Sequence, residues 1–334
     1  MIRVGIVGAG LIGNKRARAL RGEARLVAVA DKDAERAGAL AAEHRADVEA
    51  TWERLVKRDD IDAVIVSTTN DVIADCAVAA LEAGKHVLVE KPAGRNPDDV
   101  RRQLVASTAA GRVLRVGCNH RFHPAFQKAK TMLAAGAVGP LLYIRARYGH
   151  GARPGYDREW RAHPDISGGG ELLDQGVHLV DLCRWLGGEF DLEWGTMRTF
   201  FWDMPVEDNG FLMLRSPDGV RQAFLHASCT EWKNLFDFEI FGRDGKLQIW
   251  GLGRSYGVEE LRYFRMKPEM GPPEVEVTTF PGEDVSWHAE FDAFLGAIEG
   301  RPTDIARIDD AQRAVEIVYE VYRRSGAVWA AGAR

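Results

Sequence analysis

The sequence predicts an α/β fold in two parts: an N-terminal doubly wound parallel sheet, and a C-terminal α+β domain with a mostly antiparallel open sheet. Short apolar runs alternate with helical periodicity through the first 120 residues, the pattern of βαβ units. A Gly-x-Gly-x-x-Gly turn joins the first run to the first helix, as expected where a helix opens on the carboxyl end of a strand. Beyond residue 120, apolar runs recur between turn residues such as Ser216-Pro217-Asp218-Gly219, which builds antiparallel strands. A chain of 334 residues also exceeds one typical core. The domains are therefore expected at 1–120 and 121–334.

Residues 2–7 read as a buried strand running into Gly8-Ala9-Gly10-Leu11-Ile12-Gly13 and a helix through Arg21. Gly8 permits the tight turn, Gly10 lets backbone N–H groups approach a pyrophosphate, and Gly13 lets helix and strand pack closely. The helix start at Leu11 and Ile12 offers its partial positive charge to phosphates. The second strand, 26–30, ends in Asp31, placed to accept hydrogen bonds from ribose hydroxyls and to repel a 2′-phosphate. This favours NAD; Lys32 and Arg36 nearby leave NADP open. A helix over 33–45, a short strand near Val48 and a helix from Thr51 lead to a strand at 63–67. Its carboxyl end carries Ser67, Thr68, Thr69 and Asn70, at the edge where such sheets bind ligands. Strand 86–89 ends in Glu90-Lys91-Pro92, where proline restricts the lysine backbone, suits a cis bond and aims the ammonium at the cleft. Asn96-Pro97-Asp98-Asp99 opens the next helix with a cap residue, a first-turn proline and acidic side chains at the positive end. Strand 113–119 closes the sheet, and Asn119-His120-Arg121 leaves its carboxyl edge, adding Asn119 and Arg121 to the expected cofactor contacts.

The second domain begins with a helix at 124–135 and an alternating strand at 141–148. The loop 149–165 carries Arg153, Tyr156, Trp160, Arg161 and His163, a composition suited to hydroxyl-rich or anionic ligands; the first four are the expected substrate contacts. Ser167-Gly168-Gly169-Gly170 then opens a helical pattern in which Asp174 and His178 stand at i and i+4 on one face. Leu172, Leu173, Val177, Val180 and Trp185 turn towards a core. An imidazole beside a carboxylate suits proton transfer at neutral pH, and the glycines leave room for a ligand. The same pattern also describes a capped helix with a surface Asp and His pair. Strands follow at 194–201, 210–215, 220–230, 235–241, 246–250, 260–264 and 275–280. Phe224, Phe236 and Phe238 are expected on a sheet face covered by another subunit, giving a homodimer or homotetramer. Two amphipathic helices, 287–299 and 309–324, are expected to pack back near the first domain.

Composition narrows the classes. Apolar residues at 46% and charged residues at 28% exclude a disordered chain. A net charge of -5 without a long basic run argues against nucleic acid, and no apolar run is long enough to span a bilayer. The 4 cysteines are widely spaced and the 9 histidines lack ligand spacing, so no metal site is expected. Met1-Ile2-Arg3-Val4 enters a strand directly, without a signal-peptide pattern, and the expected location is the cytoplasm.

Gly8-x-Gly10-x-x-Gly13, Glu90-Lys91-Pro92 and Gly168-Gly169-Gly170 through Asp174-x-Gly176-x-His178, taken in order, make the whole chain resemble the Gfo/Idh/MocA family, which groups glucose-fructose oxidoreductase with inositol and sugar dehydrogenases. The resemblance implies an NAD(P)-binding Rossmann domain, a substrate-binding and oligomerisation domain, and Lys91, Asp174 and His178 as the catalytic set facing the nicotinamide. It implies a hydride transfer between nicotinamide and a secondary hydroxyl or ketone of a sugar, cyclitol or nucleotide-linked sugar, with Lys91, Asp174 and His178 also touching the substrate. Two other activities stay open: a redox-assisted glycosidase that keeps its NAD, and a dinucleotide-binding regulator without catalysis.

Overall fold

The computed structural model describes residues 1–330; the final residues of the second expected domain, 331–334, lie outside the described residues. The chain opens with β1 (Ile2–Val7), α1 (Leu11–Ala19), β2 (Ala24–Ala30), α2 (Ala34–His44), β3 (Asp47–Val48), α3 (Trp52–Val56) and β4 (Ala63–Val66). It continues through α4 (Asn70–Glu82), β5 (His86–Glu90), α5 (Pro97–Ala110) and β6 (Leu114–Gly117). The six strands pair in parallel in the order β3-β2-β1-β4-β5-β6. The sheet reverses direction of growth at β1, so the crevice beyond β1 and β4 is where a ligand is held in such folds. The helix starts follow side-chain chemistry: Asp33 accepts from the amides of Glu35 and Arg36, Thr51 from Arg54, and Asn96 from Asp99.

The second half contains α6 (Pro124–Ala134), β7 (Leu141–Gly149), the short α7 (Pro164–Ser167), α8 (Val177–Gly187), β8 (Asp191–Arg198), β9 (Asn209–Arg215), β10 (Gln222–Ser228) and β11 (Leu235–Gly242). It ends with β12 (Gly245–Trp250), β13 (Glu259–Arg265), β14 (Glu274–Phe280), α9 (Ser286–Ile298) and α10 (Ile308–Arg324). Eight strands form one sheet in the order β14-β13-β12-β11-β7-β10-β9-β8. Among the described residues of this second sheet, only β10 and β7 pair in parallel. Helix α9 packs on α1 and on the turn after β6, while α10 packs on α5, α8 and β8. No helix among the described residues is long and apolar enough to cross a membrane.

One expectation about the second sheet is corrected. Phe236 and Phe238 are fully buried inside this chain, edge-on to Phe126 of α6 at 5.8 and 5.3 Å. Strand register decides this: Phe238 pairs with buried Ala146, so both point to the helix-covered face. The opposite face carries Phe224, 46% exposed, alongside Tyr143 stacked on Phe241 and an Arg145–Glu239–Lys246 cluster.

Candidate active site

A cleft of ≈ 330 Å3 runs along the carboxyl edge of the parallel sheet and under the second domain. Its cofactor end is built by the glycine turn. Gly8 has φ +98° and a Cβ there would strike Ser67, while a Cβ on Gly13 would lie 1.9 Å from the Gly8 carbonyl oxygen. Both glycines are forced by close backbone approach. Gly10 differs: a Cβ there would meet nothing within 4 Å, so its backbone fronts open space at the start of α1. The first-turn amides of α1 have no acceptor inside the helix, and Leu11 and Ile12 line the cleft. Asp31 Oδ2 accepts from the Ala9 amide at 2.6 Å and Oδ1 from the Asp33 amide at 2.8 Å, which fixes the carboxylate beside the glycine turn. An open amide-lined turn next to a held carboxylate fits the diphosphate and ribose of a dinucleotide.

Ser67, Thr68, Asn70, Glu90 and Asn119 also line the cleft. Thr69 turns its hydroxyl to Asp71 at 2.6 Å, and Lys32 is exposed beyond Asp31. Glu90 forms part of the cleft wall and ion-pairs with fully buried Arg16 behind it. Arg121 is a correction: its guanidinium is buried against Asp181, with Asp310 at 3.1 Å, so α8 and α10 draw it away from the cleft. Arg153 is another, with its side chain 66% exposed and ion-paired to Glu159 at 2.7 Å, outside the cleft.

At the other end, the Lys91–Pro92 bond is cis. Lys91 Nζ donates to Asp174 Oδ1 and to the Asp174 carbonyl, both at 2.7 Å. Arg161 Nε donates to Asp174 Oδ2 at 3.1 Å, and its guanidinium lies 4.5 Å over the Trp160 ring. Tyr156 sits behind this pair, buried, edge-on to His150 at 5.8 Å. Asp174 does not stand on a regular α-helix: residues Leu172–Gly176 form a π-helical turn leading into α8, a distortion frequent at functional sites. Leu172, Leu173, Val177 and Val180 are buried as expected, and Trp185 is half-buried.

The glycine run before Asp174 has a packing role beside the one expected. A Cβ on Gly168 would strike the Arg95 backbone, one on Gly169 the Tyr322 ring and one on Gly170 the Glu207 backbone. These glycines allow tight packing, and Gly169 and Gly170 also line a small pocket with Trp160, Arg161 and Asp174. Glu207, held at the helix start, accepts from the amides of Gly170 and Leu172 at 3.0 and 2.9 Å.

The electrostatics separate the ionisable groups. Burial alone would raise the Asp174 carboxyl, but Lys91 and Arg161 hold it far below the usual carboxylate range. His178 is 4% exposed; burial and then the Lys91 ammonium push it well below its ordinary value, with Asp174 opposing. The imidazole is thus neutral at pH 7. Its Nδ1 is buried without a partner among the described residues, which leaves Nε2 as the nitrogen on the cleft side. Tyr148, Tyr256, His120 and Trp287 also line the cleft. Sequence reading missed these four: His120 was marked only by its place at the carboxyl edge of β6, and the others come from distant segments with no local pattern.

Known proteins resemble this chain at every level. Residues 2–118 match the model of the oxidoreductase family with an NAD-binding Rossmann fold, and residues 126–248 match the GFO/IDH/MocA C-terminal domain. 1,5-Anhydro-D-fructose reductase of Ensifer adhaerens is 34% identical over 257 residues, 74% of this chain and 75% of that protein. Levoglucosan dehydrogenase of Pseudarthrobacter phenanthrenivorans is 33% identical over 161 residues, which cover 48% of this chain but only 41% of that protein. A solved levoglucosan dehydrogenase in complex with NADH superposes with a TM-score of 0.85 over 97% of this chain and 98% of that one, at 24% identity, a likeness of fold. With the two family models matched in succession and a relative aligned over three quarters of both chains, this chain belongs to the Gfo/Idh/MocA family of NAD-binding oxidoreductases.

Proposed function

We propose that the protein transfers a hydride between nicotinamide and a secondary hydroxyl or ketone of a neutral sugar or cyclitol, with NAD(H) as its cofactor. The observation that carries this reading is the juxtaposition of Lys91, Asp174 and neutral His178 in one cleft with the open glycine turn and Asp31. Bound nicotinamide supplies or accepts the hydride at C4. His178 Nε2 takes the hydroxyl proton in oxidation and returns it in reduction. Lys91 donates to the reacting oxygen, where negative charge develops, and Asp174 holds the ammonium in place. Leu11, Ile12, Ser67, Thr68, Asn70 and Asp31 hold the cofactor, and Trp160 with Arg161 bounds the substrate side.

The charge balance supports a neutral substrate. Lys91 and Arg161 both pair with Asp174, so their charges are already met at the reacting centre, and Lys15, which also lines the cleft, lies over the Trp287 ring. The relatives named for anhydrosugar and inositol chemistry agree with this class. A homo-oligomer through the outer face of the eight-stranded sheet, with Phe224 and Trp194 exposed on it, belongs to the same proposal, and Phe224→Arg should lower the mass measured by light scattering.

The test is turnover followed by nicotinamide absorbance, with NAD against levoglucosan, myo-inositol and D-glucose, and with NADH against 1,5-anhydro-D-fructose. Turnover with NAD(H) that falls by about 10²–10⁴-fold in His178→Ala supports the reading. Activity that stays at the wild-type level in His178→Ala refutes the assigned roles.

A further inference from the structure

His120 lies outside the Lys91, Asp174 and His178 set, yet its ring is laid flat on His178, with centroids 3.8 Å apart and planes 15° from parallel. Both of its nitrogens are committed. Ser286 Oγ donates to the ionised Asp284 at 2.6 Å, so it accepts from Asn119 Nδ2 at 2.9 Å. That orients the Asn119 amide with Oδ1 towards His120 Nδ1 at 3.2 Å. A carbonyl oxygen only accepts, so the network assigns the His120 proton to Nδ1. Nε2 is left to accept from the Tyr148 hydroxyl at 3.2 Å.

The surroundings also oppose a charge on His120. His178, His123, Lys91 and Lys15 face it from four segments, with Tyr148 and the edge of Phe236 on its remaining sides. The groups facing His178 are Lys91, Asp174, His123 and Tyr148. Two imidazolium rings at stacking distance would repel, whereas one imidazolium over a neutral aromatic face is attracted.

We infer that His120 is a positioning residue whose locked, neutral ring is the face on which His178 accepts its proton. The inference rests on His178 being the general base. The ring holds the His178 imidazole flat, and it favours the protonated state of His178 without competing for the proton. On a cation over an aromatic face, the effect on the base is a factor of about 3 to 10.

The first measurement is 15N NMR of the imidazole nitrogens in the full-length wild-type protein, which needs no substrate. His120 neutral and protonated at Nδ1 from pH 5.5 to 8 is the expected result. A His120 that titrates in that range, or carries its proton on Nε2, overturns the inference.

The second is kinetic, using whichever of the four probe substrates turns over. His120→Leu and His120→Gln should lose about 3- to 10-fold in kcat with substrate KM and NAD affinity little changed, and the acid limb of kcat/KM should move to lower pH. His120→Phe, which keeps a ring, should stay within about twofold of wild type. In a His178→Ala background the His120 changes should have no further effect. A His120→Phe as slow as His120→Leu, or losses that add in the double variants, overturns the inference. His178→Ala retaining full activity refutes the underlying function instead.

Discussion

Replacing Lys91 by Met separates the roles assigned to the cleft, because it keeps the apolar stem and deletes only the ammonium. In wild type that ammonium is held by two acceptors of Asp174 at 2.7 Å. A donor of this kind to a developing oxyanion is worth about 10²–10³ in kcat, roughly 3–4 kcal/mol, so turnover should fall by that factor. The cost to the fold is smaller. Asp174 keeps Arg161 at 3.1 Å, so its carboxylate is not orphaned, and the side chains of the lost pair are 20% and 18% exposed. That places the stability loss at about 1–2 kcal/mol, below that for a fully buried pair, or about 2–3 °C in Tm for a chain of this size. A second signature follows from His178. The Lys91 charge helps to depress that imidazole, so removing it lets the His178 pKa rise, and the acid limb of kcat/KM moves to higher pH. Initial rates at saturating NAD, calorimetric NAD affinity and thermal melting give the three readouts. Turnover within about threefold of wild type would refute the role of Lys91, and an acid limb moving to lower pH would refute the electrostatic account.

Gly169→Ala puts a methyl group against the buried Tyr322 ring and should cost about 1–3 kcal/mol in denaturant unfolding, whereas Gly10→Ala, which meets no protein atom, should leave stability alone and weaken NAD by about tenfold or more in calorimetry. Asp31→Ser removes the carboxylate held beside the glycine turn; NAD affinity should fall and NADP affinity rise, and a cofactor preference that does not change refutes the placement of the ribose. Glu290 is raised to about 7 by burial, with the Glu90 charge adding to it, against the opposing pull of Arg16, which the two carboxylates share. Its proton therefore stabilises the fold fully below the ordinary carboxyl pKa of roughly 4.3, and that contribution is lost as pH rises through about 7. Glu290→Gln should flatten the fall of Tm between roughly pH 5 and 8, and an unchanged slope in a pH series of thermal melts would contradict it.

What the sequence disclosed depended on how local each job is. The glycine turn, Asp31 and the helix caps act within a few residues of themselves, so their spacing already carries their geometry. Lys91 stood out by its place at a strand end and Asp174 with His178 by their four-residue spacing, but their joint role came from the family resemblance and not from the pattern. Arg121 and Arg153 show the limit: composition displays a positive charge, but which carboxylate it meets is settled by packing. The glycines make the same point. Gly10 and Gly169 look alike in sequence, yet one fronts open space and the other lies under a tyrosine ring. The stack of His120 on His178 joins two elements brought together only by the fold, and no periodicity announces it.

The two ends of the cleft are held to each other by one buried charge cluster. Arg16 on α1 is fully buried between Glu90, at the end of β5, and Glu290 of α9, with the Trp287 ring 4.6 Å from its guanidinium. Gly117 lies so close that a Cβ there would strike Arg16 Nη2. The helix that begins at the glycine turn, the strand that ends in Lys91, and a helix near the C-terminus thus share a single cation. A fully buried guanidinium is tolerated only where carboxylates meet it, so the packing of α9 on α1 and that of β5 on α1 are coupled through Arg16. The same segment also reaches the cleft directly, with Trp287 in its lining and Ser286 accepting from the Asn119 amide, so α9 supports the cofactor end through both the charge cluster and the lining.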